Sequence, residues 1–195
     1  MKLSKFTVNT VLNGSDLMLD VNKINSLLIK HHSPLFCTFS VKKLSTEIQD
    51  PEFIKFVEDN VDKSEISLVE FINLVGKYLN IQPVYILSHA ILESGWGKSR
   101  IAHKTNNLFG FDAVDDDPNT PENETWLRVD RFESFAHCVF VVMSKIKRLY
   151  LTEGGKYYSK TFGPTLRGMA EHYATDENWA MAIAKVANMI LRNSA

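Results

Sequence analysis

Residues 83–97 read Pro83-Val84-Tyr85-Ile86-Leu87-Ser88-His89-Ala90-Ile91-Leu92-Glu93-Ser94-Gly95-Trp96-Gly97. A proline costs least at the first helical position, so a helix is expected to open at Pro83. From Val84 to Leu92 the residues are apolar on nearly every face, the pattern of a helix buried in the centre of a domain. Gly95 and Gly97 mark its end and suit a turn that lets backbone approach a site closely. One carboxylate, Glu93, stands in the last turn. Burial disfavours its charged form, and so does the negative end of the helix dipole. Trp96, just past the turn, offers an apolar wall. All three push the pKa up, which is what a general acid for glycosidic cleavage needs. Position alone leaves open a solvated glutamate at a frayed helix end.

Working outward, Ser67 and Glu70 have the spacing of a capping box. Leu68, Phe71, Ile72, Val75, Tyr78 and Leu79 follow at helical spacing, and Asn80 and Pro83 mark the stop. The segment to residue 62 reads as an irregular extension with one or two short helices. Asp20 can cap one over Val21 to Lys30, and Pro51 can start another with Phe53, Ile54 and Val57 on one face. Residues 103–131 hold Asn106, Asn107, Gly110, Pro118, Asn119, Pro121 and Asn123, which predicts loops with a short hairpin. Helical spacing returns with Phe135, Val139, Val142, Met143, Ile146 and Leu149. A further helix is expected near Pro164. The last is expected after Thr175, with Trp179, Ile183, Val186, Ala187 and Ile190 inward. The expected fold class is α+β, a predominantly helical lobe with a small loop or β-hairpin lobe beside a groove. The expected division is an N-terminal extension over 1–62 and the main domain over 63–195.

Composition narrows the function classes. Of 195 residues, 45% are apolar and 23% charged, with a net charge of −1. That argues against a nucleic-acid binder with a broad basic face. Cys37 and Cys138 sit in apolar settings and read as small buried thiols. The histidines make no metal-binding spacing, so neither a metal nor another cofactor is expected. No stretch is long enough to span a bilayer, so no membrane insertion is expected. Met1 to Thr10 lacks the apolar run of a signal peptide. The expectation is synthesis in the cytoplasm, with release by lysis or carriage on a virion if the chain acts outside.

Four blocks carry a resemblance. Leu92-Glu93-Ser94-Gly95-Trp96-Gly97-Lys98-Ser99 is followed by Asn106-Asn107-Leu108-Phe109-Gly110-Phe111. Gly163-Pro164-Thr165-Leu166-Arg167-Gly168-Met169 then runs into Tyr173-Ala174-Thr175-Asp176 and Trp179-Ala180. In this order they resemble the glucosaminidase family of glycoside hydrolases, family 73, which includes bacterial autolysins, flagellar peptidoglycan hydrolases and phage cell-wall hydrolases. Asn22 to Leu35 is similar to the segment leading into such domains. The resemblance implies a lysozyme-like fold and cleavage after N-acetylglucosamine in bacterial peptidoglycan. It implies that Glu93 is the catalytic acid and that Tyr173 meets the N-acetyl group or steadies charge at the sugar carbon. Asn107, Phe109 and Gly110 are expected to shape the groove floor, and Trp96 and Tyr158 are candidates for sugar contact. Trp96 is the better candidate for a wall against Glu93. Many members take a second glutamate from the small lobe. Glu122 is chosen here, with Glu124, Asp115, Asp116, Asp117 and Asp130 nearby, although no local motif selects it. The substrate's own N-acetyl group is the alternative nucleophile. Peptidoglycan is the expected partner, with other virion or wall-associated proteins beside it. Competing readings are a lytic transglycosylase and a non-catalytic wall-binding or virion structural module.

Overall fold

The computed structural model describes residues 5–111 and 130–194. Its elements in chain order are α1 (Val21–Lys30), β1 (Thr38–Ser40), α2 (Val41–Glu47), α3 (Pro51–Asn60), β2 (Glu65–Ser67), α4 (Leu68–Leu79), α5 (Pro83–Ser94), α6 (Arg100–Thr105), α7 (Phe135–Tyr150), α8 (Leu166–Tyr173) and α9 (Trp179–Ser194). The class is α+β with helix dominant. None of the described helices is long and apolar enough to cross a membrane.

The start signals act as read. The Asp20 side chain accepts from the Lys23 amide, and Asp50 caps the helix that Pro51 opens. At α4 both halves of the capping box form: Ser67 Oγ accepts from the Glu70 amide at 3.2 Å, and Glu70 Oε2 accepts from the Ser67 amide at 2.8 Å. Helix α5 is buried from Pro83 to Ile91 and packs mainly on α9 and α4. This is why its sequence has no polar face. Phe53 of α3 stacks on Phe140 of α7 (4.3 Å) and meets Phe71 of α4 edge-on (5.8 Å). An aromatic cluster thereby joins the first third of the chain to the rest.

Two features differ from expectation. Strands β1 and β2 form a two-stranded antiparallel sheet with Thr38 opposite Ser67, Phe39 opposite Ile66 and Ser40 opposite Glu65. The sheet therefore lies before α4, and the hairpin anticipated within 103–131 falls mainly outside the described residues. The segment to residue 62 is also more regular than expected, since α1, β1, α2 and α3 all lie within it. Its apolar residues Phe6, Leu12, Leu19, Ile24, Leu28, Leu35, Leu44 and Phe53 belong to the same core cluster as α5 and α9. Before α1 the chain threads between two later elements. The Leu12 amide donates to the Pro164 carbonyl (2.8 Å), Arg167 donates to Val8 (2.7 Å), and Gln82 donates to Leu12 (2.9 Å).

Candidate active site

A groove of about 930 Å³ opens beside the C-terminal end of α5. Glu93 reaches it from α5, Phe109 and Gly110 from the loop after α6, Tyr173 from α8, and Trp179 from α9. Helix α7 contributes Lys145 and Arg148. Among the described residues, Glu93 and Asp176 are the carboxylates lining it.

The Glu93 side chain is 27% exposed. Its Oε1 accepts a hydrogen bond from Trp179 Nε1 at 2.6 Å. This neutral donor fixes the direction of the carboxyl plane. Trp179 in turn stacks on Tyr173, with ring centroids 5.0 Å apart. Beneath them His89 is fully buried, with Nε2 3.8 Å from the same Glu93 oxygen. Burial pushes the His89 pKa down to about 3, so at neutral pH the pair is a carboxyl group beside a neutral imidazole. A carboxylate at 3.8 Å pulls the other way. The attraction to a partly exposed group loses to the cost of a cation among four aromatic rings.

The turn after Glu93 explains why Trp96 is absent from this cluster. Gly95, Trp96 and Gly97 all take positive φ (55°, 64° and 80°), a conformation rare for a bulky side chain. The chain thereby swings Trp96 onto the first segment, where it stacks on His31 at 3.9 Å. Its carbonyl accepts from Ser33 Oγ at 2.7 Å. Trp96 does not line the groove; the tryptophan that walls Glu93 is Trp179.

Asn107 works behind the groove surface. It is 1% exposed. Its Oδ1 accepts from the Phe109 and Phe111 amides (3.1 and 3.2 Å), and its Nδ2 donates to the Phe111 and Asp130 carbonyls (3.0 and 3.2 Å). One amide side chain thus shapes the loop that presents Phe109 and Gly110. Tyr173 Oη donates to the Phe109 carbonyl at 3.5 Å, a long contact. Tyr158 is not a lining residue, and its neighbour Tyr157 takes that place. Asp130 holds Lys145 at 3.4 Å and is not a lining residue. Glu122, Glu124 and Asp115 to Asp117 lie outside the described residues. Both thiols are free and pushed up to about 12 by burial. Among the described residues no group of His, Cys, Asp and Glu gathers to hold a metal.

Trp179, His89, Lys145, Arg148 and Asp176 are site residues that the sequence alone did not assign. His89 lies four residues before Glu93 and so on the same helix face, but on a helix apolar nearly all round that spacing singles out no residue. For Trp179 the signal was only its place in the last block.

The family profile described as glucosaminidase, mannosyl-glycoprotein endo-beta-N-acetylglucosaminidase, matches residues 70–192. The chain belongs to the glucosaminidase family. A Streptococcus pneumoniae (serotype 4) protein whose name proposes an endo-beta-N-acetylglucosaminidase is 33% identical over 111 residues, covering 56% of this chain and 15% of that protein. A Staphylococcus aureus bifunctional autolysin is 28% identical over 130 residues, covering 58% of this chain and 10% of the autolysin. The chain therefore corresponds to a small part of these longer relatives. Among solved structures, S. aureus autolysin E in complex with the muropeptide NAM-L-Ala-D-iGlu aligns with a TM-score of 0.58 at 17% identity, over 96% of this chain and 73% of that one. This likeness is one of fold.

Proposed function

We propose that this glucosaminidase-family chain hydrolyses bacterial peptidoglycan, cutting the β-1,4 bond after N-acetylglucosamine with Glu93 as general acid. The observation that carries the reading is Glu93 Oε1 held by Trp179 Nε1 at 2.6 Å in a groove lined by Tyr173, Phe109 and Gly110. Held this way, the carboxyl gives its proton to the glycosidic oxygen as the C1–O bond breaks, and the leaving sugar departs as a neutral alcohol. The water that ends the reaction supplies hydroxyl to C1 and gives its proton to Glu93 if the N-acetyl oxygen is the nucleophile, or to Glu122 if that residue is the base, solvent then reprotonating Glu93. Tyr173 lines the same groove, and in this reading it hydrogen-bonds the N-acetyl group or steadies positive charge at C1. The partner of Glu93 is Glu122 or the substrate's own N-acetyl oxygen; the anomeric configuration of the first product separates inversion from retention. Names of related structures agree with the substrate class, since autolysin E is described bound to a muropeptide and, as a glutamate-to-alanine catalytic mutant, to the disaccharide NAG-NAM.

In this proposal residues 63–195 carry the site and residues 1–62 pack on it as the extension. The chain acts on the wall, reaching it by lysis or on a virion, and detection of the chain in purified virions tests the latter route. Purified peptidoglycan is the substrate for the main test, with mass spectrometry of the digest. Reducing N-acetylglucosamine ends are expected, and Glu93→Gln should abolish them. Anhydro-muramyl ends would make the chain a lytic transglycosylase. Equal wall clearance by wild type and Glu93→Gln would leave a non-catalytic wall-binding reading.

A further inference from the structure

The reading of Glu93 as the acid leaves its neighbour His89 without a role. His89 lies one turn earlier on α5 and is fully buried. Phe109, Tyr173 and Trp179 meet its ring edge-to-face at 5.0, 4.8 and 5.2 Å, and Tyr85 lies tilted against it at 5.5 Å. A purely apolar side chain would fill such a space with less cost, so the two nitrogens need an account. His89 Nδ1 lies 3.0 Å from Tyr85 Oη. That hydroxyl also has Met169 Sδ at 2.9 Å. A hydroxyl has one proton to donate, and thioether sulfur is a weak acceptor beside an imidazole nitrogen. One hydroxyl proton leaves the ring tautomer open, and the group facing Nε2 decides it. Glu93 Oε1, an acceptor, stands 3.8 Å away and would be repelled by a lone pair there, so the ring's own proton goes to Nε2 and Nδ1 accepts from Tyr85. Nε2 has no hydrogen-bond partner among the described residues. It points at Glu93 Oε1 from 3.8 Å, the oxygen that already accepts from Trp179. A buried N–H is expensive to leave unmet, and a small movement of the Glu93 carboxyl brings it within bonding distance.

We propose that His89 is a positioning residue for the acid: its Nε2–H tautomer, supported by Tyr85, joins Trp179 in directing N–H groups at Oε1 of Glu93, so that the proton given to the substrate is carried on Oε2. The inference rests on Glu93 being the acid, and it adds which carboxyl oxygen acts and what selects it. Burial keeps the imidazole neutral, so the group orients Glu93 as a dipole and not as a charge.

The test is the pH profile of kcat/KM on purified peptidoglycan for wild type, His89→Leu, His89→Gln and Tyr85→Phe. Among the described residues, the other charged and titratable groups lining the groove with Glu93 are Lys145, Arg148 and Tyr150 of α7, Tyr157 before α8, Tyr173 of α8, and Asp176 before α9, while α9 itself contributes Trp179 and Ala182. None of these is altered. Removing an N–H donor favours the protonated carboxyl, so in His89→Leu the limb where activity falls with rising pH moves up by about half a unit to one unit. In the same variant kcat falls by about ten-fold, because the carboxyl plane is less well held. His89→Gln offers an amide N–H in place of Nε2–H and should restore the wild-type limb. Tyr85→Phe never touches Glu93, yet it releases the tautomer and should move the limb in the same direction. If His89→Leu does not accumulate folded, Tyr85→Phe carries the test alone. Limbs that coincide in all variants, whatever their rates, would overturn the proposal, and so would a limb moving down, which makes His89 an acceptor. Activity surviving in Glu93→Gln fails the functional reading separately, since that variant leaves His89 intact.

Discussion

Acid should destabilise this protein through His89, and the size of the effect follows from its burial. The imidazole is fully buried, and its pKa falls from the ordinary 6.5 to about 3 on folding. The unfolded chain therefore binds a proton below pH 6.5 that the folded chain refuses. Stability rises with pH wherever the unfolded state holds more protons. The contribution is accordingly complete above 6.5 and is lost progressively as pH falls toward 3. At about 1.4 kcal/mol per pH unit, going from about pH 7.5 to about pH 5 costs roughly 2 kcal/mol from this one group. Carboxylates and the other histidines add their own slopes, so the comparison is with His89→Gln, which keeps polarity and approximate volume but does not titrate. Urea unfolding at both pH values, for both proteins, gives the four free energies. Wild type should lose roughly 2 kcal/mol more than the variant over this interval. Parallel losses, within about 0.5 kcal/mol, would show that His89 is protonated as readily in the fold as outside it. The description of a neutral ring enclosed by Tyr85, Phe109, Tyr173 and Trp179 would then be wrong.

Three further outcomes are expected. Trp179→Phe keeps the stack on Tyr173 but removes the 2.6 Å bond to Glu93; kcat/KM on peptidoglycan should fall by about ten- to a hundred-fold with little change in KM, since a hydrogen bond to a charged or reacting group is worth about 1.5–3 kcal/mol. Asn107→Ala strips the loop of the bonds to Phe109, Phe111 and Asp130; thermal unfolding should show a loss of about 1–3 kcal/mol, and KM should rise more than kcat falls. Removal of residues 1–62 takes Leu12, Ile24, Leu28, Leu35, Leu44 and Phe53 from the core; the remainder should lack a cooperative thermal transition, and a soluble, active 63–195 fragment would show that the extension is dispensable.

The parts legible in the sequence were those governed by local chemistry. Ser67 and Glu70 announce α4 because their reciprocal bonds close within one turn. Asp20 announces its helix through a bond that is just as local, and Pro51 and Pro83 announce theirs because a proline costs least in the first turn. Glu93 stood out through the blocks around it, which resemble the glucosaminidase family, since a carboxylate at the end of an apolar helix is by itself equally a solvated glutamate at a frayed end. Strands β1 and β2 were not, since each has three residues and no period can be read from so short a run; what makes Thr38 a strand residue is Ser67, far along the chain. Trp96 was read as the wall of the acid because it is adjacent in sequence. Three successive positive φ values carry it away, and Trp179 arrives from α9. His89 was hidden by its own helix: on a segment apolar all round, i,i+4 spacing no longer separates a core face from a site face.

A catalytic group at the end of a helix works only if the helix is fixed along its axis, because one residue of slippage moves the group by about 1.5 Å and small misplacements are costly in rate. Both ends of α5 are held by the first segment. At the start, Gln82 donates its amide to the Leu12 carbonyl (2.9 Å), accepts from the Leu17 amide (3.0 Å) and donates its side chain to Asp16 (2.5 Å). Gly14 makes room for this, since a Cβ there would stand 2.5 Å from Gln82 Nε2. At the far end, Ser33 Oγ donates to the Trp96 carbonyl (2.7 Å), Lys98 Nζ donates to the His31 carbonyl (2.6 Å), and His31 covers the Trp96 ring. Residues 12–33 thus span α5 as a brace, and none of them lines the groove. A substitution such as Ser33→Ala is therefore expected to lower kcat on peptidoglycan at unchanged KM, through the position of Glu93 and not through any contact with glycan. Steady-state kinetics on soluble glycan fragments can separate these, and a rise in KM alone would mean that the first segment meets the substrate directly.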